Sequence, residues 1–205
     1  FNSEPYYRLN AVFAVTSEDG SKNEVKAELS KRFKTHEEAL AFLELCKTSK
    51  FKVSSIAKKP LKRTPAPPFT TSTLQQEAAR KLGFTVSQTM MVAQRLYEAG
   101  RITYMRTDSV NLSALAIEGC KTEIERLYGE DYGKVRKYQT HSKGAQEAHE
   151  AIRPTYIDNV SIEGTSQEKR LYDLIWKRTI ASQMADAKIE KTTVNISLES
   201  EEAKN

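Results

Sequence analysis

Two cysteines, Cys46 and Cys120, and three histidines are all that 205 residues hold of either type. No C-x-x-C pair exists, a disulfide framework is excluded, and so sparse a use of cysteine points to a reducing compartment. His36 reads as surface near a helix start, and His141 stands eight residues before His149. The His149-Glu150 pair lacks the second histidine, four residues on, of a helical zinc motif; Arg153 stands there instead, so no metal site is expected. The eight glycines form no phosphate-cradling loop, and no serine stands in a nucleophile elbow, which argues against nucleotide hydrolysis. No apolar run approaches the roughly 18 residues of a membrane span, and the N-terminus has no signal-peptide pattern. A cytoplasmic protein without a membrane partner is the expectation. Because the chain starts at Phe1 and ends inside a strand-like pattern, we expect a piece of a longer polypeptide.

Charge is not scarce. The residues are 29% charged and 39% hydrophobic, a globular balance, and the net charge is +5 with a pI near 9.1. That bias permits a polyanionic partner without requiring one. Tyr7, Leu9, Ala11, Phe13 and Val15 alternate with polar residues, the period of a half-buried strand. Turn residues 17–21 and a second alternation at Val25, Ala27 and Leu29 complete a hairpin. Thr35 and Glu38 form a capping-box pattern for a helix to about Lys47, with Leu40, Leu43 and Cys46 inward. Phe51 and Val53 begin a third strand. The stretch KKPLKRTPAPP (58–68) has four prolines and four basic residues and reads as a stiff linker.

Helical patterns follow. Ser72 and Gln75 would cap a helix with Leu74, Ala78 and Leu82 on one face, ending at Gly83. Thr85 and Gln88 would cap the next, with Met90, Ala93, Leu96 and Tyr97 inward, closed by Gly100. The pair resembles a helix-turn-helix, and 101–106 would be a short strand or wing. Ser113 caps a helix to about Tyr128 with Ala116, Cys120, Ile124 and Leu127 inward. Residues 129–147 read as a loop, and 166–185 as a long helix carrying Leu171, Leu174, Ile175, Trp176 and Ile180. Alternation returns at Thr192, Val194, Ile196 and Leu198. The fold class is therefore α+β. A mostly helical, winged-helix-like part (64–189) is inserted into a β-rich domain formed by 1–63 and a return strand at 190–205.

Two stretches could carry chemistry. In ITYMRTDS, Tyr104, Arg106 and Asp108 stand at alternate positions and face one side if extended. A phenol of pKa about 10 is a poor nucleophile at neutral pH without a neighbouring cation, and Arg106 offers a planar fork suited to a phosphate. Asp108 could orient Arg106 or manage a proton. In AQEAHEAIRPT (145–155), His149 can donate to a phosphate oxygen or protonate a leaving oxygen near neutral pH. Arg153 would share its face if the stretch is helical.

Together PPFTTSTLQQEAARKLGF, TMMVAQRLYEAGRITYMRTDS and QEAHEAIRPT resemble the bacterial topoisomerase I branch of the type IA DNA topoisomerase family. The match runs through most of residues 65–185, while 1–60 agrees only in layout. The resemblance implies a winged-helix-like (CAP-like) catalytic-tyrosine domain inserted into a β-rich arch domain. It also implies an isomerase that cleaves one strand of DNA through a 5′-phosphotyrosyl link, passes a strand, rejoins it without ATP and so relaxes negative supercoils. Tyr104 would attack, Arg106 would grip the scissile phosphate, His149 would lie beside it, and Asp108 would support them. Gln94, Tyr97, Arg101 and Arg153 match positions near the DNA path or supporting the site. Single-stranded and negatively supercoiled DNA, and the Toprim and gate domains of the same polypeptide, are the implied partners. Mg2+ would be held by acidic Toprim residues outside these 205, leaving the segment alone inactive in relaxation.

Two other readings stand beside this one. A winged-helix DNA-binding module would place a helix in the major groove and leave Tyr104 idle. In a purely structural reading both motifs only stabilise packing. The decatenating type IA enzyme shares Tyr-x-Arg, although the longer run looks more like the relaxing enzyme.

Overall fold

A computed structural model describes residues 4–138 and 150–199. In chain order they form β1 (Asn10–Thr16), β2 (Lys22–Glu28), α1 (His36–Thr48), β3 (Lys50–Arg63), α2 (Thr71–Leu82), α3 (Val86–Glu98), α4 (Ala114–Tyr128), α5 (Ser166–Ser182) and β4 (Ala187–Glu199). This is the mixed α and β architecture that the patterning led us to expect. Two compact units result, one from residues up to Lys59 together with those from Lys191 on, the other from Pro60–Glu190.

In the first unit β1 and β2 pair antiparallel, with Phe13 opposite Val25. The turn between them is held by Asp19, whose carboxylate accepts from the Ser21 amide at 2.9 Å and hydroxyl at 2.7 Å. Gly20 takes φ +81° there, a conformation that glycine adopts without steric cost. Leu9, Ala11 and Phe13 are half-buried and their neighbours exposed, as period-2 patterning requires. Thr35 caps α1 by accepting from the Glu38 amide, but the Glu38 carboxylate reaches back to the Lys34 amide, so the capping box is incomplete. The inward face of α1 is also turned from expectation. Ala39 is buried, and Phe42, Leu45 and Cys46 are half-buried, whereas Leu40 and Leu43 are exposed. The Phe42 ring lies 5.5 Å from that of buried Phe33, and this large aromatic contact sets the rotation of the helix.

β3 and β4 form a second two-stranded sheet. The Ser54 hydroxyl donates to the Asn195 carbonyl and the Ser197 hydroxyl to that of Lys52, so the strands run antiparallel. β3 does not stop at the expected linker; it continues through Pro60 to Arg63. A ribbon of two strands leaves alternate N–H groups without a ladder partner, so a proline there costs less than in a central strand.

The second unit holds the principal core. α5 packs against α2, α3 and α4, and Leu171, Tyr172, Leu174, Ile175, Trp176 and Ile180 are buried on it. Truncating one such leucine or isoleucine to alanine costs about 2–5 kcal/mol. The Trp176 indole N–H donates to the Ile157 carbonyl at 2.8 Å, which satisfies the polar end of a buried ring. The helix ends at Ser182, three residues earlier than expected. α2 starts earlier than expected: Thr70 and Thr73 form its capping box in place of Ser72 and Gln75. The Thr71 amide donates to the Thr107 carbonyl, which fixes that first turn from outside the helix. Gly83, at φ +70°, ends it. On α4, Ala116, Cys120 and Ile124 are buried as expected, with Glu123 beside them; Leu127 is exposed. Within the expected loop, Lys134 and Arg136 donate their amides to Gln183, which ties residues 134–136 to the end of α5.

Candidate active site

After α3, Gly100 turns the chain at φ +66°, and the Arg101 amide donates to the Leu96 carbonyl at 2.8 Å. The following segment is not a regular strand. Its one bridge joins Ile102 to Pro154. The alternation nevertheless survives, because Ile102, Met105 and Ser109 are buried as pegs while Tyr104, Arg106 and Asp108 are exposed.

Lateral hydrogen bonds replace a sheet ladder. On one side, the Thr71 hydroxyl contacts the carbonyls of Met105 at 2.8 Å and Thr107 at 3.1 Å, and accepts from the Thr107 amide at 2.9 Å. On the other, the Thr103 amide donates to the Arg153 carbonyl at 2.9 Å, its hydroxyl donates to Ala151, and the Ala151 amide donates to Asn111. The Ile152 amide donates to the Phe69 carbonyl. The two motifs are thus laced side by side although some fifty residues separate Thr103 from Arg153.

The candidate residues fall into distinct settings. The Tyr104 ring stands edge-on to that of Tyr97, with centroids 5.2 Å apart. Tyr97 is 41% exposed at the rim of α3, where the helical pattern had suggested an inward position. Arg106 and Arg101 are exposed, and neither side chain makes an ion pair or hydrogen bond among the described residues. Gln94 is half-buried and donates to Glu98 at 2.6 Å. Arg153 is only 12% exposed; it pairs with Glu150 at 2.7 Å and donates to the Pro154 carbonyl. Residues 150–155 are not helical, so the helical face proposed for Arg153 is absent, and His149 lies outside the described residues.

Glu150 also accepts from the Ser113 amide at 2.6 Å, just where α4 begins. Burial pushes its carboxyl up, but the hydrogen bonds of Arg153 and Ser113 outweigh that and hold it below the usual carboxylate range. Local pattern carries no sign of these threonine and glutamate contacts, since their partners lie some 34 to 50 residues away along the chain. Among the described residues no group of three or more His, Cys, Asp or Glu could hold a metal ion. Nor is any described helix long and apolar enough to cross a membrane.

A tyrosine and an arginine projecting from a pinned segment suit chemistry at a phosphodiester. The chain belongs to the DNA topoisomerase family, which it matches over residues 1–205. Within that family it is similar to proteins named DNA topoisomerase 1. That of Zymomonas mobilis is 55% identical over 148 residues, 71% of this chain and 12% of the relative. That of Pseudomonas aeruginosa is 44% identical over 203 residues, 96% of this chain and 23% of the relative. The chain therefore spans a quarter or less of these relatives. Topoisomerase I of Thermotoga maritima has a similar structure, at TM-score 0.71 and 34% identity, covering 98% of this chain and 32% of that one.

Proposed function

We propose that this chain is the part of a type IA topoisomerase that carries the cleaving tyrosine. Pro60–Glu190 would be the catalytic-tyrosine domain and the other unit part of the arch. The Tyr104 phenolic oxygen attacks the scissile phosphorus. The phenol gives up its proton as an O–P bond forms to the tyrosine, the bond to the 3′ oxygen breaks, and that oxygen takes up one proton and leaves as a 3′ hydroxyl. One phosphate ester replaces another at little change in free energy, so the reversal that rejoins the strand needs no ATP. Arg106 supplies two parallel N–H groups to the phosphate oxygens and stabilises the charge that develops on them. His149 lies beside the phosphate and Asp108 supports the constellation. Gln94, Tyr97 and Arg101 line the DNA path, while Arg153 braces the segment through its pair with Glu150.

The exposure of Tyr104 and Arg106 on either side of the buried Met105 peg carries this reading. A residue that served packing would not leave both groups facing solvent from a pinned segment. Single-stranded and negatively supercoiled DNA are the substrates, and the setting is the cytoplasm. Mg2+ belongs with acidic residues of a Toprim domain outside these 205 residues. The segment alone accordingly does not relax supercoiled DNA; the Toprim and gate domains complete the enzyme.

The test uses a full-length topoisomerase carrying this segment, with and without Tyr104→Phe, on labelled single-stranded DNA with magnesium. A denaturing gel shows a protein–DNA adduct for the tyrosine and none for phenylalanine. An adduct that survives the substitution, or none with either protein, sinks the reading in favour of a DNA-binding module.

A further inference from the structure

The helical unit contains a cavity of about 420 Å3 that the Tyr104 segment does not line. Its floor is apolar, built from Phe69, Leu82 and Leu174, and its rim carries Lys81 of α2 with Lys177 and Arg178 of α5. Thr71, which pins the Tyr104 segment, opens α2, and Lys81 stands near the helix end, roughly 15 Å further along the axis.

The charges at this rim do not balance. Glu77 is shared by Arg80 at 2.6 Å, Lys81 at 3.1 Å and Arg178 at 4.0 Å. Asp173 is matched by Lys177 at 2.8 Å. Among the described residues two carboxylates thus serve four cations, and two positive charges are left over. The Arg178 guanidinium carbon lies over the Phe69 ring, 4.4 Å from its centroid, and only 19% of its side chain is exposed. Its guanidinium makes no hydrogen bond among the described residues. A guanidinium held over a ring face by a cation–π contact, with its N–H groups not spent on neighbouring acceptors, can offer that planar fork to a phosphate. Burial also pulls this group below its usual range, with Glu77 opposing, so a further anion is favourable.

A cationic rim over an apolar floor suits a ligand with a flat, weakly polar body and an anionic end. We propose that this cavity binds one nucleotide unit, with its phosphate on Lys81, Lys177 and Arg178 and its base against Leu82, Leu174 and the edge of Phe69. The volume lies within the range of roughly 300–1,000 Å3 typical of small-molecule sites. A free nucleotide and a nucleotide of single-stranded DNA present the same chemistry. The proposal does not depend on Tyr104 being a nucleophile.

Methyl NMR titrations of the chain with adenosine monophosphate test it. The nucleotide shifts the methyl signals of Leu82, Leu174 and Ala181, and Tyr104→Phe binds it equally well. Lys81→Glu with Lys177→Glu, two exposed positions, weakens it by about tenfold or more, because two phosphate contacts are reversed in sign. Oligothymidylate added to the complex identifies the source. Displacement of the nucleotide assigns the site to a strand and retention assigns it to free nucleotide, and either upholds the site. Shifts confined to other surfaces, unchanged affinity in the double variant, or inorganic phosphate binding as tightly as the nucleotide would overturn it.

Discussion

The ring of Tyr97, on the last turn of α3, meets the ring of Tyr104 edge to face, 5.2 Å between centroids and 65° between planes. The contact spans the tight turn at Gly100 and limits the directions in which the Tyr104 phenol can point. An edge-to-face pair is worth about 0.5–1.5 kcal/mol, enough to bias a side chain that is otherwise exposed.

Tyr97→Phe should keep this ring contact and Tyr97→Ala should remove it. In a full-length topoisomerase carrying this segment, the proposed function predicts that single-turnover cleavage of a labelled strand is near normal for phenylalanine. With Tyr104 as the nucleophile proposed above, it should be roughly tenfold to a hundredfold slower for alanine, the cost of misplacing the attacking group. Equal loss in both variants would assign the effect to the Tyr97 hydroxyl instead.

Thr71 anchors the other side of the segment through one hydroxyl that meets two carbonyls and an amide. Thr71→Val keeps the shape and strands those groups, at a cost of about 1–3 kcal/mol. Urea unfolding should show this loss, and Thr71→Ser should recover most of it.

Glu150 makes stability depend on pH. Its carboxyl is held below its ordinary range in the folded chain, so its contribution is full above the unfolded pKa of about 4.3. The contribution is lost as pH falls through the lower, folded value. Thermal melts between pH 7 and pH 3 should show wild type losing stability more steeply on acidification than Glu150→Gln. At pH 7 the variant should be less stable by about 1–2 kcal/mol, since Arg153 and the Ser113 amide lose a charged acceptor.

Cys120 is fully buried, and burial pushes its thiol up to about 12, with Arg153 opposing slightly. Cys46 is half-buried and also raised by burial. A thiol reagent at pH 8 should therefore modify Cys46 first and leave Cys120 untouched until the chain unfolds. Equal native rates would contradict the buried position of Cys120.

Local patterns determined much of this protein. The hairpin, the Thr35, Thr85 and Ser113 caps, the apolar face of α5 and the exposed trio of Tyr104, Arg106 and Asp108 follow from propensity and periodicity over a few residues. Only the tertiary structure decided what depends on distant partners. Phe33 chose the buried face of α1, the Thr107 carbonyl moved the start of α2, and a two-stranded ribbon let β3 run through Pro60. The same holds at the candidate site. Thr71 and residues 151–153 hold the Tyr104 segment through hydrogen bonds from remote stretches of chain, where neighbouring residues alone would leave its backbone groups unpaired.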